Sequence, residues 1–109
     1  MSDFQYMSAS ALDEAAAKVK GAQDGALLAG GMTLLPSIKL GLSDPSDVVD
    51  LAGIGDLAGI SVDGGTVTIG AMTRHADVAG SSDVAGAIPA LAALAGGIGD
   101  PQVRNRGTI

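Results

Sequence analysis

The sequence predicts an α/β fold built from two successive parts. Over residues 1–58, short apolar segments alternate with helical patterns, which is typical of a βαβαβ layer with a parallel sheet. After residue 59, two alternating segments flank Asp63-Gly64-Gly65, and this pattern predicts a β-hairpin with a loop of about three residues. We therefore expect an N-terminal subdomain at residues 1–58 and the beginning of a second subdomain at residues 59–109.

Three strands and two helices are predicted in the first part. The strands are expected at residues 4–7, 26–29 and 48–51, and the second lacks alternation, which predicts burial on both faces. A helix is expected at residues 11–20, because Ser10 and Asp13 resemble a capping box and Gly21 can end the helix. The other helix is expected at residues 32–40, with Pro36 in its first turn.

The second part is predicted to continue with helices. Thr73 is placed to cap a short helix at residues 74–79. Residues 85–97 form an alanine-rich helical pattern that Pro89 interrupts early. Residues 99–109 are predicted to be a loop, and a domain that finishes in such a loop looks cut short.

Composition excludes several functional classes. The chain of 109 residues has no cysteine and one histidine, so a disulfide framework, a thiolate nucleophile and a zinc site of several histidines are excluded. The net charge of −6 argues against nucleic acid as a partner, because phosphate contacts need a basic surface. With one Phe, one Tyr and no Trp, the chain also offers no platform for stacked bases.

The same sequence indicates a cytoplasmic protein with a small hydrophobic core. No apolar run approaches the roughly 20 residues of a membrane span, and the first residues do not resemble a secretion signal. Because the chain contains 19 alanines and 17 glycines, its hydrophobic core is expected to be thin. We therefore expect marginal stability for the chain alone, or a larger partner.

The best candidate for a functional site is the segment from Leu28 to Leu34. A predicted strand ends there, Gly30 and Gly31 turn the chain, and a predicted helix begins. The N–H groups of Gly31, Met32 and Thr33 would converge at the start of that helix, where an anion such as phosphate binds readily. The alternative is a tight turn that binds nothing, and the local spacing leaves both interpretations open.

A second glycine motif, Gly53-Ile54-Gly55-Asp56-Leu57-Ala58, matches the residue pattern of the dinucleotide fingerprint but not its structural context. That fingerprint must open a crossover helix, yet the next strand is predicted to begin at Ile60. We therefore reject a nicotinamide-dinucleotide site, and a hairpin at residues 60–69 would exclude it.

The remaining polar residues suggest no catalytic group. His75 is expected on a helix surface or partly buried, because no serine or cysteine partner lies nearby. Arg104 and Arg106 are interpreted as solvated loop charges, with contact to an anionic cofactor or another subunit as the alternative. The 12 carboxylates form no pair suited to acid–base work, so any redox activity would come from a bound cofactor.

Three segments together resemble a known family. They are Leu28-Ala29-Gly30-Gly31-Met32-Thr33-Leu34-Leu35-Pro36, Ile69-Gly70-Ala71-Met72-Thr73 and Gln102-Val103-Arg104-Asn105-Arg106-Gly107-Thr108-Ile109. In order and spacing the chain is similar to the FAD-binding medium subunits of the molybdenum hydroxylases. Carbon monoxide dehydrogenase and xanthine dehydrogenase belong to this family, whose flavin domain has the PCMH-type FAD-binding fold.

The resemblance implies roles for particular residues. The loop Ala29-Gly30-Gly31-Met32-Thr33, flanked by Leu28 and Leu34, would bind the FAD pyrophosphate through backbone N–H groups. Gly107, Thr108 and Ile109 match the start of a second phosphate loop, and Ile98 and Val103 match apolar contacts to the cofactor. Met32 stands where many relatives carry a polar residue, which a backbone contact tolerates. Gly70-Ala71 is a landmark of the family.

The resemblance also implies a function. The chain would be the N-terminal part of an FAD-dependent oxidoreductase subunit, inactive by itself, that works with a large molybdopterin-binding subunit and a small iron–sulfur subunit. It ends just before the expected Gly-Gly-Asn of the second phosphate loop. The alternative is a truncated α/β module that binds a partner protein and no flavin.

Overall fold

Five strands and six helices form in residues 3–109, the part of the chain that the structure, a computed structural model, describes. The strands are β1 (Gln5–Ser8), β2 (Gly25–Leu28), β3 (Asp47–Asp50), β4 (Ile60–Asp63) and β5 (Thr66–Ile69). The helices are α1 (Leu12–Gly21), α2 (Leu34–Lys39), α3 (His75–Gly80), α4 (Ser82–Ala87), α5 (Pro89–Gly96) and α6 (Pro101–Arg106). These elements form two compact units, of which the first ends at Gly55 and the second begins at Asp56.

The first unit is a three-stranded parallel sheet in the order β1-β3-β2. Its element order, βαβαβ, is the predicted one. The sheet is buried at its central strand, where Val48 and Val49 have no exposed surface, and α1 packs against β2 and β3. The predicted burial of β2 on both faces is wrong: β2 is an edge strand, and Leu27 is 51% exposed.

The start of α1 differs from the predicted capping box. The N-cap residue is Ala11, without a side-chain cap, and the Ser10 hydroxyl donates instead to Glu14 Oε2 at 3.1 Å. Lys18 Nζ lies 3.1 Å from Glu14 Oε1, one helical turn away. The Lys18 ammonium, with help from the Ser10 hydroxyl, lowers the pKa of the exposed Glu14 carboxyl. Ser10 therefore bonds to Glu14 and not to Asp13, whose Oδ1 accepts from Glu14 N–H at 2.9 Å.

Both helices of the first unit end within a residue of their predicted ends. α1 ends at Gly21, one residue after the predicted end, and α2 ends at Lys39, one residue before the predicted end. α2 has six residues, so it is shorter than the predicted helix at residues 32–40. Pro36 lies in its first turn as predicted, and Ile38 is its buried residue.

The second unit begins with the predicted hairpin. β4 and β5 pair antiparallel, and the last pair is Asp63 with Thr66, so the loop has two residues and not three. Gly64, the first loop residue, has φ +58°, as a tight two-residue hairpin turn requires. The core of this unit contains Val78, Val84 and Ala95, against which Ile60 and Ile69 of the hairpin pack.

The helices of the second unit correct two predictions. The expected helix at residues 85–97 is two helices, α4 and α5, because Ser81 caps α4 through Val84 N–H and Pro89 begins α5. The expected loop at residues 99–109 contains α6, whose N-cap Asp100 accepts a hydrogen bond from Val103 N–H at 2.9 Å. In residues 3–109, no helix has the length and apolar character needed to cross a membrane.

Thr73 connects two segments and is not the predicted helix cap. The N-cap residue of α3 is Arg74, whereas Thr73 is 3% exposed. Its Oγ1 accepts a hydrogen bond from Gly59 N–H at 3.0 Å and donates to Gly59 C=O at 3.1 Å. One hydroxyl therefore fixes the start of β4 to the approach to α3.

Replacement of Thr73 by valine is expected to lower the free energy of unfolding by about 1–3 kcal/mol, because the hydroxyl of the buried Thr73 makes both hydrogen bonds to Gly59 and valine makes neither. Thr73→Ser keeps the hydroxyl and should lose less, although it removes a buried methyl group. Urea unfolding of the two variants measures the difference. A Thr73→Val variant with the midpoint of the unmodified protein would show that these hydrogen bonds contribute no net stability.

Candidate functional site

The loop between β2 and α2 holds the first group of predicted site residues in one short segment. Leu28 ends β2, and Leu51 N–H donates to its carbonyl at 3.0 Å, which extends the contact with β3 by one residue. Leu34 begins α2. The group consists of Leu28, Ala29, Gly30, Gly31, Met32, Thr33 and Leu34.

Backbone carbonyls of this loop are used by α2, whereas its amides are left open. Gly31 C=O accepts from Leu35 N–H at 3.2 Å, and Thr33 C=O accepts from Ser37 N–H at 3.1 Å. Across residues 3–109, no atom accepts a hydrogen bond from the N–H groups of residues 30–33. Backbone N–H groups without partners at the start of a helix are a typical binding site for an anion.

Gly31 determines the shape of the loop. Its φ of +83° lies in the left-handed region, where side chains are strained, and it is buried. A Cβ built on it would lie 3.0 Å from Leu35 Cδ1 and 3.4 Å from Leu28 Cδ1. Met32 and Thr33 are exposed beside it. The loop therefore has a glycine-dependent fold and exposed residues on one side of Gly31, and it carries no charged side chain.

Ile98 and Val103 belong to one turn in the second unit. Gly99, between α5 and α6, has φ +54°, and a Cβ built on it would lie 3.0 Å from Val103 Cβ. Both Ile98 and Val103 are half-buried. Val103 therefore packs against Gly99, the residue next to Ile98 in the chain.

The last three residues run alongside the beginning of α3. Gly107 is buried, and its carbonyl accepts from His75 N–H at 2.9 Å. Thr108 forms an antiparallel bridge with Arg74, and Ile109 N–H donates to Thr73 C=O at 2.9 Å. The backbone at Thr108 and Ile109 is therefore held by hydrogen bonds. The predicted residues form two local groups, one in each unit.

His75 is half-buried, as predicted, and packs against Gly107. A Cβ on Gly107 would lie 3.1 Å from His75 Cδ2. Within the described part of the chain, the buried Nδ1 of His75 makes no hydrogen bond. The ring therefore acts as a packing surface for the end of the chain.

The interpretation of Arg104 as a solvated loop charge is wrong. Arg104 Nη1 donates to the carbonyls of Ile98 at 3.0 Å and Gly99 at 2.9 Å, so the guanidinium binds the backbone of its own chain. Arg106, in contrast, is exposed. No sequence pattern indicates that the Arg104 side chain bonds to carbonyls five and six residues earlier. The prediction of a loop at residues 99–109 also gave no reason to expect these bonds.

The rejected dinucleotide motif has a structural explanation. Gly55–Leu57 form a single 3₁₀ turn, and β4 begins at Ile60, so no crossover helix follows. Gly53 has no room for a side chain, because a Cβ would lie 2.8 Å from Ala9 C=O. A shallow cavity of about 270 Å³ near this motif is lined by Asp56, Ala58, Gly59, Ile60, Ser61, Thr68 and Gly70, none of which the sequence predicted as site residues.

Comparison with known proteins gives one consistent family. The family model described as the FAD binding domain in molybdopterin dehydrogenase matches residues 2–109. The carbon monoxide dehydrogenase medium chain of Hydrogenophaga pseudoflava is 45% identical over 107 residues, which are 97% of this chain and 37% of that one. The nicotine 6-hydroxylase medium subunit of Paenarthrobacter nicotinovorans is 35% identical over 105 residues, which are 96% of this chain and 37% of that subunit.

Solved structures agree with the sequence relatives. Carbon monoxide dehydrogenase from Hydrogenophaga pseudoflava matches with a TM-score of 0.95 and 44% identity, over 98% of this chain and 38% of that one. Quinoline 2-oxidoreductase from Pseudomonas putida 86 matches with a TM-score of 0.93 and 33% identity, over 98% of this chain and 38% of the matched chain. The chain thus spans somewhat more than a third of the length of these relatives.

Proposed function

Because the chain belongs to the family of FAD-binding domains in molybdopterin dehydrogenases, we propose that it binds FAD in the flavin-carrying subunit of a molybdenum-containing hydroxylase or dehydrogenase. The observation that carries the proposal is the row of open N–H groups at residues 30–33. An FAD pyrophosphate carries two negative charges, and backbone donors held by a rigid turn satisfy them without a lysine or arginine. The residues present therefore fit the cofactor.

In this proposal, the Ala29–Thr33 loop binds the pyrophosphate and so fixes the position of the whole cofactor. α2 has only six residues, so binding relies on the four amides more than on a helix dipole. Met32 contributes its N–H group and not its side chain, and the exposed Thr33 adds a hydroxyl. Preformed donors gain affinity because the free protein need not order them at binding.

The second group would contribute in two ways. Ile98 and Val103 would supply apolar contact to the cofactor, since both side chains retain exposed surface. Gly107, Thr108 and Ile109 would form the beginning of a second phosphate segment, held in place by their bonds to residues 73–75. When bound, FAD would accept electrons and deliver them to an external acceptor.

We propose that the other redox centres lie on partner subunits. Iron–sulfur clusters are held mainly by cysteine, and this chain has none. A relative named as a medium chain implies a larger and a smaller companion, which we assign to molybdopterin and iron–sulfur binding. Substrate oxidation would occur on the large partner. We propose a cytoplasmic location, which cell fractionation with an antibody against the chain would test.

Equilibrium dialysis tests the proposal. The protein, purified with any subunits that accompany it, is dialysed against FAD, FMN and riboflavin. FAD should be retained over the other two, because only FAD has a pyrophosphate. Failure to retain FAD would favour the alternative, an α/β module that binds a partner protein and no flavin.

A further inference from the structure

Arg104 makes an unusual use of a positive charge. Its guanidinium donates from Nη1 to two successive carbonyls, those of Ile98 and Gly99, at 3.0 and 2.9 Å. These carbonyls lie beyond the end of α5, in the turn that leads to α6. Charge-assisted bonds of this kind are stronger than bonds between neutral groups.

The surrounding turn is closed by three further contacts. Asp100 Oδ1 accepts from Val103 N–H at 2.9 Å, and Asp100 C=O accepts from Arg104 N–H at 3.1 Å. Gly99, in the left-handed region, packs on Val103. Residues 98–104 therefore form a small closed unit in which the Arg104 side chain bonds directly to the backbone of Ile98.

The chain around this turn makes Arg104 hard to replace. Residues 84–99 carry no charged side chain, so another side chain of that segment cannot supply the same bonds. Arg104 is half-buried, whereas Arg106 on the same helix is exposed. Without the guanidinium, the Ile98 and Gly99 carbonyls would depend on water, and the backbone at Ile98 would lose its connection to α6.

We propose that Arg104 is a positioning residue for the cofactor: it holds Ile98 beside Val103 so that the two side chains form one preformed apolar contact. This inference rests on the proposed function, because Ile98 and Val103 acquire their role only with FAD bound. Arg104 acts through Ile98 and not by binding the phosphates.

The test compares FAD affinity in a set of variants of the purified protein. Arg104→Met removes the donors and keeps an apolar stem, Arg104→Lys keeps the charge with less suitable geometry, and Arg106→Met is the matched control. Affinity is measured by fluorescence titration at a temperature at which circular dichroism shows every variant folded. We expect Arg104→Met to weaken FAD binding about tenfold, Arg104→Lys to weaken it less, and Arg106→Met to leave it unchanged.

A double-mutant cycle with Ile98→Ala separates positioning from other roles. If Arg104 acts through Ile98, Arg104→Met should have less than about a twofold effect once Ile98 is alanine. An undiminished tenfold effect in the Ile98→Ala background would overturn the inference, as would equal affinities for Arg104→Met and Arg106→Met. If Arg104→Met does not fold, the same cycle is run with Arg104→Lys. Absence of FAD binding by the unmodified protein would overturn the proposed function and, with it, this inference.

Discussion

Replacement of Gly31 by valine is expected to weaken FAD binding by about 10- to 100-fold. Gly31 has φ +83°, and a side chain there would press against Leu35 and Leu28. A branched residue is strained in the left-handed region, so the backbone of the loop must change, and the open N–H groups on either side change position with it. Titration of the folded variant with FAD measures the loss.

Gly41 provides a matched control for this substitution. It lies in the same unit and has a similar φ of +75°, but a Cβ there would meet no atom within 4 Å. Gly41→Val should therefore show the backbone strain alone, about 1–2 kcal/mol of stability, with FAD affinity unchanged. If both variants bound FAD equally well, the Ala29–Thr33 loop would not be the pyrophosphate site.

Replacement of Gly70 by alanine is expected to lower the free energy of unfolding by about 3 kcal/mol or more. A Cβ at Gly70 would lie 2.7 Å from the Leu57 carbonyl carbon and would collide with its oxygen. Leu57 cannot retreat freely, because its carbonyl accepts from Met72 N–H at 2.7 Å. The backbone of two segments must therefore move. Urea unfolding should show a lower midpoint with an unchanged slope.

Gly65→Ala is the control for Gly70→Ala. Gly65 lies in the turn between β4 and β5, and Gly70 directly follows β5. A Cβ at Gly65 would meet no atom within 4 Å, and its φ is not in the left-handed region. Gly65→Ala is expected to change stability by less than about 1 kcal/mol. Similar losses for the two alanines would show that the loss at Gly70 does not come from the collision with Leu57.

The elements were largely predictable from the sequence because their patterns are local. Alternation in the hairpin and the alanine-rich helices depend on residues close together in the chain. Predictions failed where a partner is distant: Leu27 is exposed because β3, which follows it in the chain, takes the central position. Thr73 bonds to Gly59, fourteen residues earlier, and no pattern near Thr73 indicates that bond.

The candidate site was predictable in part for the same reason. A strand, two glycines and a helix within a few residues are enough to suggest open amides, which is what residues 30–33 have. Helix α6 is hard to predict because Val103 is its one apolar residue besides Pro101, so it has no hydrophobic periodicity. The signal that could have found it is Asp100-Pro101, a typical helix start.

The strand order β1-β3-β2 sets the time at which the first unit can fold during synthesis. β1 and β2 pair with β3 and not with each other, and β3 is the last of the three to leave the ribosome. Until residues 47–50 emerge, the nascent chain holds two strands without neighbours. We therefore expect the sheet to close only after β3 has emerged, through contacts that are distant in sequence and slow to form.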